Sequence, residues 1–175
     1  MKYFFIQKDG HYGGMPAIQH IPTTRIPTAH LRDKAYHLFP DITTLPIYEG
    51  SAIDFVDILS SPFLLVSELC FDVIKMYHPY TRSKKMVLMN KDTNKVYHLP
   101  LIPRISCLTE NSKLNIDKSY IECAELEYEK VKRHELFYIG DSTSNYAVIR
   151  LDMLESMLKR GARGFGIKEV DVRGL

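Results

Sequence analysis

Residues 62–77 read PFLLVSELCFDVIKMY, and this stretch decides the fold. Phe63 to Val66 is an apolar run of strand length. Ser67 follows, and its hydroxyl can accept a backbone N–H at a helix start. Glu68 falls in the first turn, where a carboxylate meets the positive end of the helix dipole. Leu69, Cys70, Val73, Ile74 and Tyr77 then form one apolar stripe at helical period. Pro79 stops the helix, because proline disfavours helix in the residue before it. The stretch predicts strand, cap, helix and stop.

The same order returns near the end of the chain. Tyr146 to Ile149 reads as a strand. Asp152 and Glu155 have capping-box spacing, with Asp in the Ser/Thr role. Leu154, Met157 and Leu158 make the apolar stripe. Lys159 and Arg160 suit the last turn, and Gly161 suits the residue beyond it. Phe165 to Val170 reads as a closing strand. Strand–cap–helix–strand therefore occurs twice, at 63–90 and 146–170.

The remaining elements are shorter. Lys2 to Gln7 predicts a first strand. Six of the nine prolines (Pro16, Pro22, Pro27, Pro40, Pro46 and Pro62) fall between residues 11 and 62. They limit long elements there. Ile18, Ile21, Ile26, Leu31, Phe39, Ile42, Leu45 and Ile47 call for burial, which predicts an ordered, irregular arm. Ile53 to Leu59 suits a short helix or strand. Lys85 to Asn90 and Val96 to Leu101 predict a hairpin turning at Asp92, Thr93 and Asn94. Pro100 and Pro103 place the second strand at an edge, or end it there. Ser119 to Lys132 alternates as a strand would, although Ile121, Ala124, Tyr128 and Val131 also fit a helix; strand is preferred. Leu136 to Ile139 is a clear strand. The expected fold is α+β: a mixed, largely antiparallel sheet with two packed helices. Residues 1–62 form a strand and the Pro-rich arm, and residues 63–175 form the α+β body.

The 175 residues suit one domain, and 45% hydrophobic with 25% charged residues is a globular composition. The 23 basic and 21 acidic residues leave a net charge of only +2, which argues against a nucleic-acid partner. Cys70, Cys107 and Cys123 form no CxxC pair, so reduced cysteines in a cytoplasmic protein are the economical reading. No apolar run approaches the roughly 20 residues a membrane span needs. The N-terminal apolar patch is too short for a secretory signal.

The two units resemble a family of bacterial immunity proteins from polymorphic toxin systems, first catalogued as a domain of unknown function. The matching residues are Phe63 to Leu69, the Asp117-Lys118-Ser119 turn, Leu136-Phe137, Val148 with the helix Leu151 to Lys159, and Gly161 to Phe165 running into Lys168-Glu169-Val170. The resemblance covers about residues 60–172. Tyr138 stands where the family often has Arg, and Leu151-Asp152 where it often has Ser-Glu. It implies an α+β domain that binds and neutralises a cognate protein toxin by occlusion. It implies no catalytic residue and no cofactor.

Individual residues favour contact over catalysis. Gly161 to Gly166 follows a helix and precedes a strand, the reverse of a phosphate loop, so it reads as a helix stop and turn. The seven histidines show no HxxxH or HExxH spacing, so no metal site is expected. No serine lies in GxSxG. Eleven tyrosines and no tryptophan suit an interaction surface. Tyr77, His78, Tyr80 and Arg82 cluster after the first helix and are the leading contact candidates. Glu125, Glu127 and Glu129, with Glu122, form a second candidate that could steer a basic toxin surface, although Lys130, Lys132 and Arg133 offset them and a solvated strand face is the preferred reading. The competing reading is a small cytosolic enzyme with a His/carboxylate cleft. Its sign would be a pocket where such a pair meets with shifted pKa values.

Overall fold

The computed structural model describes residues 1–19, 36–37, 40–49 and 53–174. Expectations on Pro22, Pro27, Ile21, Ile26, Leu31, Phe39, His20 and His30 lie outside these residues. The described residues form an α+β fold, sheet-rich with mixed sheets and three helices.

There are two principal sheets where one was expected. The six-stranded sheet contains β1 (Tyr3–Lys8), β7 (Arg104–Ile105), β10 (Glu125–Glu127), β11 (Leu136–Ile139), β12 (Ala147–Arg150) and β13 (Phe165–Arg173), ordered β10-β13-β1-β12-β11-β7. The five-stranded sheet contains β2 (Ile42–Pro46), β3 (Ile58–Leu59), β4 (Leu65–Val66), β5 (Ser83–Met89) and β6 (Asn94–Pro100), ordered β2-β5-β6-β4-β3. A two-stranded ribbon, β8 (Lys113–Leu114) and β9 (Ile121–Cys123), completes the strands. The 83–100 hairpin forms as the sequence predicts, with Pro100 ending β6. Leu45 and Ile47 are buried, but Ile42 stays exposed.

The repeated unit is a split βαβ motif. Helix α1 (Glu68–Tyr77) joins β4 to β5, and β6 lies between these two strands, antiparallel to both. Helix α3 (Leu151–Lys159) joins β12 to β13, and β1 lies between them in the same way. The two helices pack on each other. Their buried side chains (Cys70, Phe71, Val73 and Ile74; Met153, Leu154 and Met157) fill the core between the sheets. Leu158, expected on the α3 stripe, is exposed, and Met153 takes the buried place.

The six-stranded sheet is covered on both faces, so its strands alternate between two cores. Leu136 and Tyr138 of β11 face the helices; Phe137 and Ile139 face a second cluster with Tyr3, Leu126, Val131 and Val148. A strand buried on both faces has no polar alternation, which explains the continuous run LFYI. Each such side chain contributes roughly 1.5–3 kcal/mol on burial.

Caps set the helix limits. Ser67 Oγ accepts the Cys70 N–H at 3.5 Å, as its N-cap position predicts. Asp152, expected as a cap, lies inside the first turn instead. Arg150 is the N-cap residue and clamps the Asp152 carboxylate with two bonds of 2.7 and 2.8 Å. At the far end the Ala162 N–H donates to Met157 O at 3.1 Å and the Gly161 N–H to Leu158 O at 2.9 Å, a Schellman closure with Gly161 at φ +89°. Gly164 has φ +79°, and a Cβ there would lie 2.1 Å from Val56 Cγ1, so only glycine fits.

Ser119 to Lys132 divides between the two readings. It holds β9, β10 and a one-turn helix, α2 (Tyr128–Val131). Leu126 and Val131 fill the second core in turn, so the strand period gives way to the helical one at Tyr128.

Asp57 joins the units. Its Oδ1 accepts from Ser67 Oγ at 2.7 Å and its Oδ2 from the Arg163 N–H at 2.9 Å. Its N–H donates to Arg163 O at 2.9 Å, and its carbonyl accepts the Ser67 N–H at 2.8 Å. Asp57→Ala removes both side-chain acceptors and should cost about 2–3 kcal/mol of stability, with Asp57→Asn losing less. The midpoint of urea denaturation checks this; an unchanged midpoint in Asp57→Ala would refute the linkage.

Candidate functional site

The leading contact residues lie where α1 runs out. The His78 N–H donates to Ile74 O at 2.8 Å, closing the helix, and the Thr81 N–H donates to His78 O at 3.0 Å, turning the chain at Pro79. The turn leaves Tyr80 96% exposed. Tyr77, His78 and Tyr80 line one groove of about 460 Å³, together with Leu101, Ile102, Arg133 and His134. Arg82 sits just past the turn, exposed, with its carbonyl accepting the Leu101 N–H at 2.8 Å.

The groove rests on a polar network. His78 Nε2 lies 2.6 Å from Glu135 Oε2, and Glu135 Oε1 lies 2.7 Å from Arg150 Nη2. Arg150 in turn holds Asp152. The paired carboxylate raises the Arg150 pKa, and the guanidinium lowers that of Asp152. Burial lowers the His134 pKa; Glu135 opposes this and His78 adds to it. The network ties the end of α1 to the β11–β12 pair and makes the groove wall rigid. Arg133, His134 and Glu135 were not singled out from the sequence as contact residues, since no spacing signal relates them to His78.

The acidic candidates lie elsewhere. Glu127 and Glu129 line a separate cavity of about 280 Å³ with Glu110 and Arg173. Lys130 pairs with Glu127 at 2.5 Å, Lys132 with Glu129 at 2.6 Å and Arg173 with Glu110 at 2.5 Å. Glu125 accepts from Thr109 Oγ1 at 2.5 Å and Asn111 Nδ2 at 2.9 Å. Glu127 and Glu129 are thus paired with lysines, whereas the partners of Glu125 are neutral and leave its charge in place.

A second His/carboxylate pair joins a buried ring to an exposed carboxylate, the Glu68 side chain being 70% exposed. His98 is 5% exposed and sits between Ser83 Oγ, 3.0 Å from Nδ1, and Glu68 Oε2, 2.6 Å from Nε2. Its ring stacks on Phe71 at 4.4 Å. Serine, imidazole and carboxylate are in line, but the ring is sealed against Phe71 and borders none of the three cavities described here. The arrangement braces α1 against the β5–β6 hairpin. The 141–145 turn is likewise structural: Asp141 Oδ2 accepts the N–H groups of Cys107 and Leu108 at 2.7 and 3.0 Å. Burial pushes the Cys70 and Cys107 thiols up to about 12, so both are inert core residues. Among the described residues, no three His, Cys, Asp or Glu side chains converge as metal ligands, and no helix is long and apolar enough to cross a membrane.

The His134 shift carries a pH dependence. The folded ring holds its proton less tightly than the unfolded one, whose ordinary value is 6.5. The unfolded chain therefore binds more protons as pH falls below that value, and this contribution to stability is present above it and lost below. His134→Gln should flatten the fall in stability between about pH 7 and pH 5, read as denaturation midpoints across that range. An identical slope in the variant would refute the assignment.

Comparison of the chain with protein-family models and with curated proteins gave no match.

Proposed function

We propose that this chain is an immunity protein that binds a cognate bacterial toxin and neutralises it by occlusion, without catalysis. The observation that carries the reading is Tyr80, 96% exposed on a turn fixed by α1 and beside an aromatic and aliphatic groove. A large ring held out on a rigid support loses little conformational entropy on contact, which is how tyrosine serves as an interface anchor. The groove offers a place for an apolar side chain of the partner. Arg82 and Arg133 are exposed near it and make no ion pair among the described residues, so a partner surface carrying carboxylates would complement it. The toxin as partner comes from the resemblance of residues 60–172 to immunity proteins, and the cytoplasmic setting from the unpaired cysteines.

The reading as a small enzyme has one favouring observation, the His78–Glu135 contact at the groove. Glu135 is also engaged by Arg150, so the contact forms part of the network that ties α1 to the sheet. Binding is therefore the better-supported function.

Co-expression with the toxin encoded beside the gene tests it. The chain should restore growth and co-purify with the toxin. Tyr80→Ala should weaken the complex at least about tenfold, and Arg82→Ala with Arg133→Ala should slow association at low salt. Neither change should move the denaturation midpoint. Absence of both rescue and complex would overturn the proposal.

A further inference from the structure

The largest cavity described, about 620 Å³, lies away from the Tyr80 groove, and the two share no lining residue. It opens where the end of β1 meets the 143–146 loop and Ser60 to Pro62. Its volume falls in the range of small-molecule sites.

Three features define what it would accept. The first is an aromatic wall. Phe5 and Tyr146 have ring centroids 5.7 Å apart at an angle of 59°, and Tyr120 stands beside them, 59% exposed. The second is charge. Lys8 and Lys168 line the cavity, and no Asp or Glu does. Neither lysine makes an ion pair among the described residues, whereas neighbouring Lys2 is neutralised by Glu169 at 2.9 Å. Phe5 and Lys168 are direct cross-strand partners, so ring and ammonium share one face of the sheet. The third is a preformed frame. Ser144 Oγ donates to Ser119 O at 2.7 Å, Tyr146 OH donates to the same carbonyl at 3.5 Å, and Asn145 Nδ2 donates to Pro62 O at 2.9 Å. These bonds fix the wall before any ligand arrives. The hydroxyls of Ser60, Ser61 and Tyr120 make no hydrogen bond within the described chain and face the same space.

We propose that this cavity binds a small organic anion built on an aromatic ring, such as an aromatic carboxylate, sulfonate or phosphate. The ring stacks against the Phe5–Tyr146–Tyr120 wall. The anionic group takes Lys168, on the same face as the Phe5 ring, as its charge partner and the free hydroxyls as donors. The inference stands apart from toxin binding.

The probe is 8-anilinonaphthalene-1-sulfonate, titrated by fluorescence and calorimetry into the full chain, with uncharged N-phenyl-1-naphthylamine as the comparison. One saturable site is expected, with the anion binding at least about tenfold more tightly than the uncharged compound. Lys168→Gln should weaken the anion about fivefold and leave the uncharged compound unaffected, while Lys95→Gln changes neither. Unchanged denaturation midpoints exclude dye uptake by a loosened fold. Independently of any variant, raising the salt should weaken the anion and not the uncharged compound. Equal binding of the two compounds, several weak sites, or indifference to salt would each overturn the proposal.

Discussion

The Asp57 carboxylate is the constraint on which the two halves depend. One oxygen fixes the serine that starts α1, and the other fixes the backbone just beyond the turn that ends α3. The beginning of one helix and the end of the other are thereby held at one point. A negative charge there also suits the positive end of α1. The two split βαβ units each bury one face of a helix, and neither could do so without the other's helix alongside. Gly164 and Val56 meet beside this point so closely that a side chain at 164 would force it open.

The groove follows from that anchoring. With its start fixed at Ser67 and its body braced through His98, α1 delivers Tyr77 and His78 to a defined place. Glu135 and Arg150 then hold His78 against the six-stranded sheet. Binding surface and core are one mechanical unit. The backbone that carries Tyr80 is fixed before any partner arrives, so contact has only the rotamers of the ring left to order.

Local chemistry was legible in the sequence, and long-range pairing was not. Ser67, Pro79 and Gly161 act on residues within one turn of themselves, so α1 and the closure of α3 could be read directly. Asp152 does not cap α3 because the helix already begins at Leu151, and the Arg150 side chain takes the Asp152 carboxylate within the first turn. The division into two sheets depends on β1 pairing with β12 and β13 while β6 pairs with β4 and β5; apart from the β5–β6 hairpin, these are long-range contacts that leave no signal in any strand alone. Ser119 to Lys132 satisfied both periods because it uses each in succession. The Tyr77–Arg82 segment stood out by its tyrosines, but its neighbours Arg133 to Glu135 come from a distant part of the chain. The cavity at Phe5 and Tyr146 was invisible for the same reason.

The two split motifs differ in how their middle strand is supplied. In the first, β6 follows β5 through a tight hairpin, so its neighbours are all close in sequence. In the second, β1 is made first and its partners come last, with Tyr3 pairing to Arg150 and Val170. Loop-closure entropy makes such distant pairing slow. On the ribosome the first motif can therefore organise while the second cannot, and β1 must wait, with Tyr3 and Phe5 unprotected, until β12 and β13 have emerged. The order of synthesis leaves one of the two central strands of the larger sheet exposed for longest, and makes that strand the point of vulnerability to misassembly.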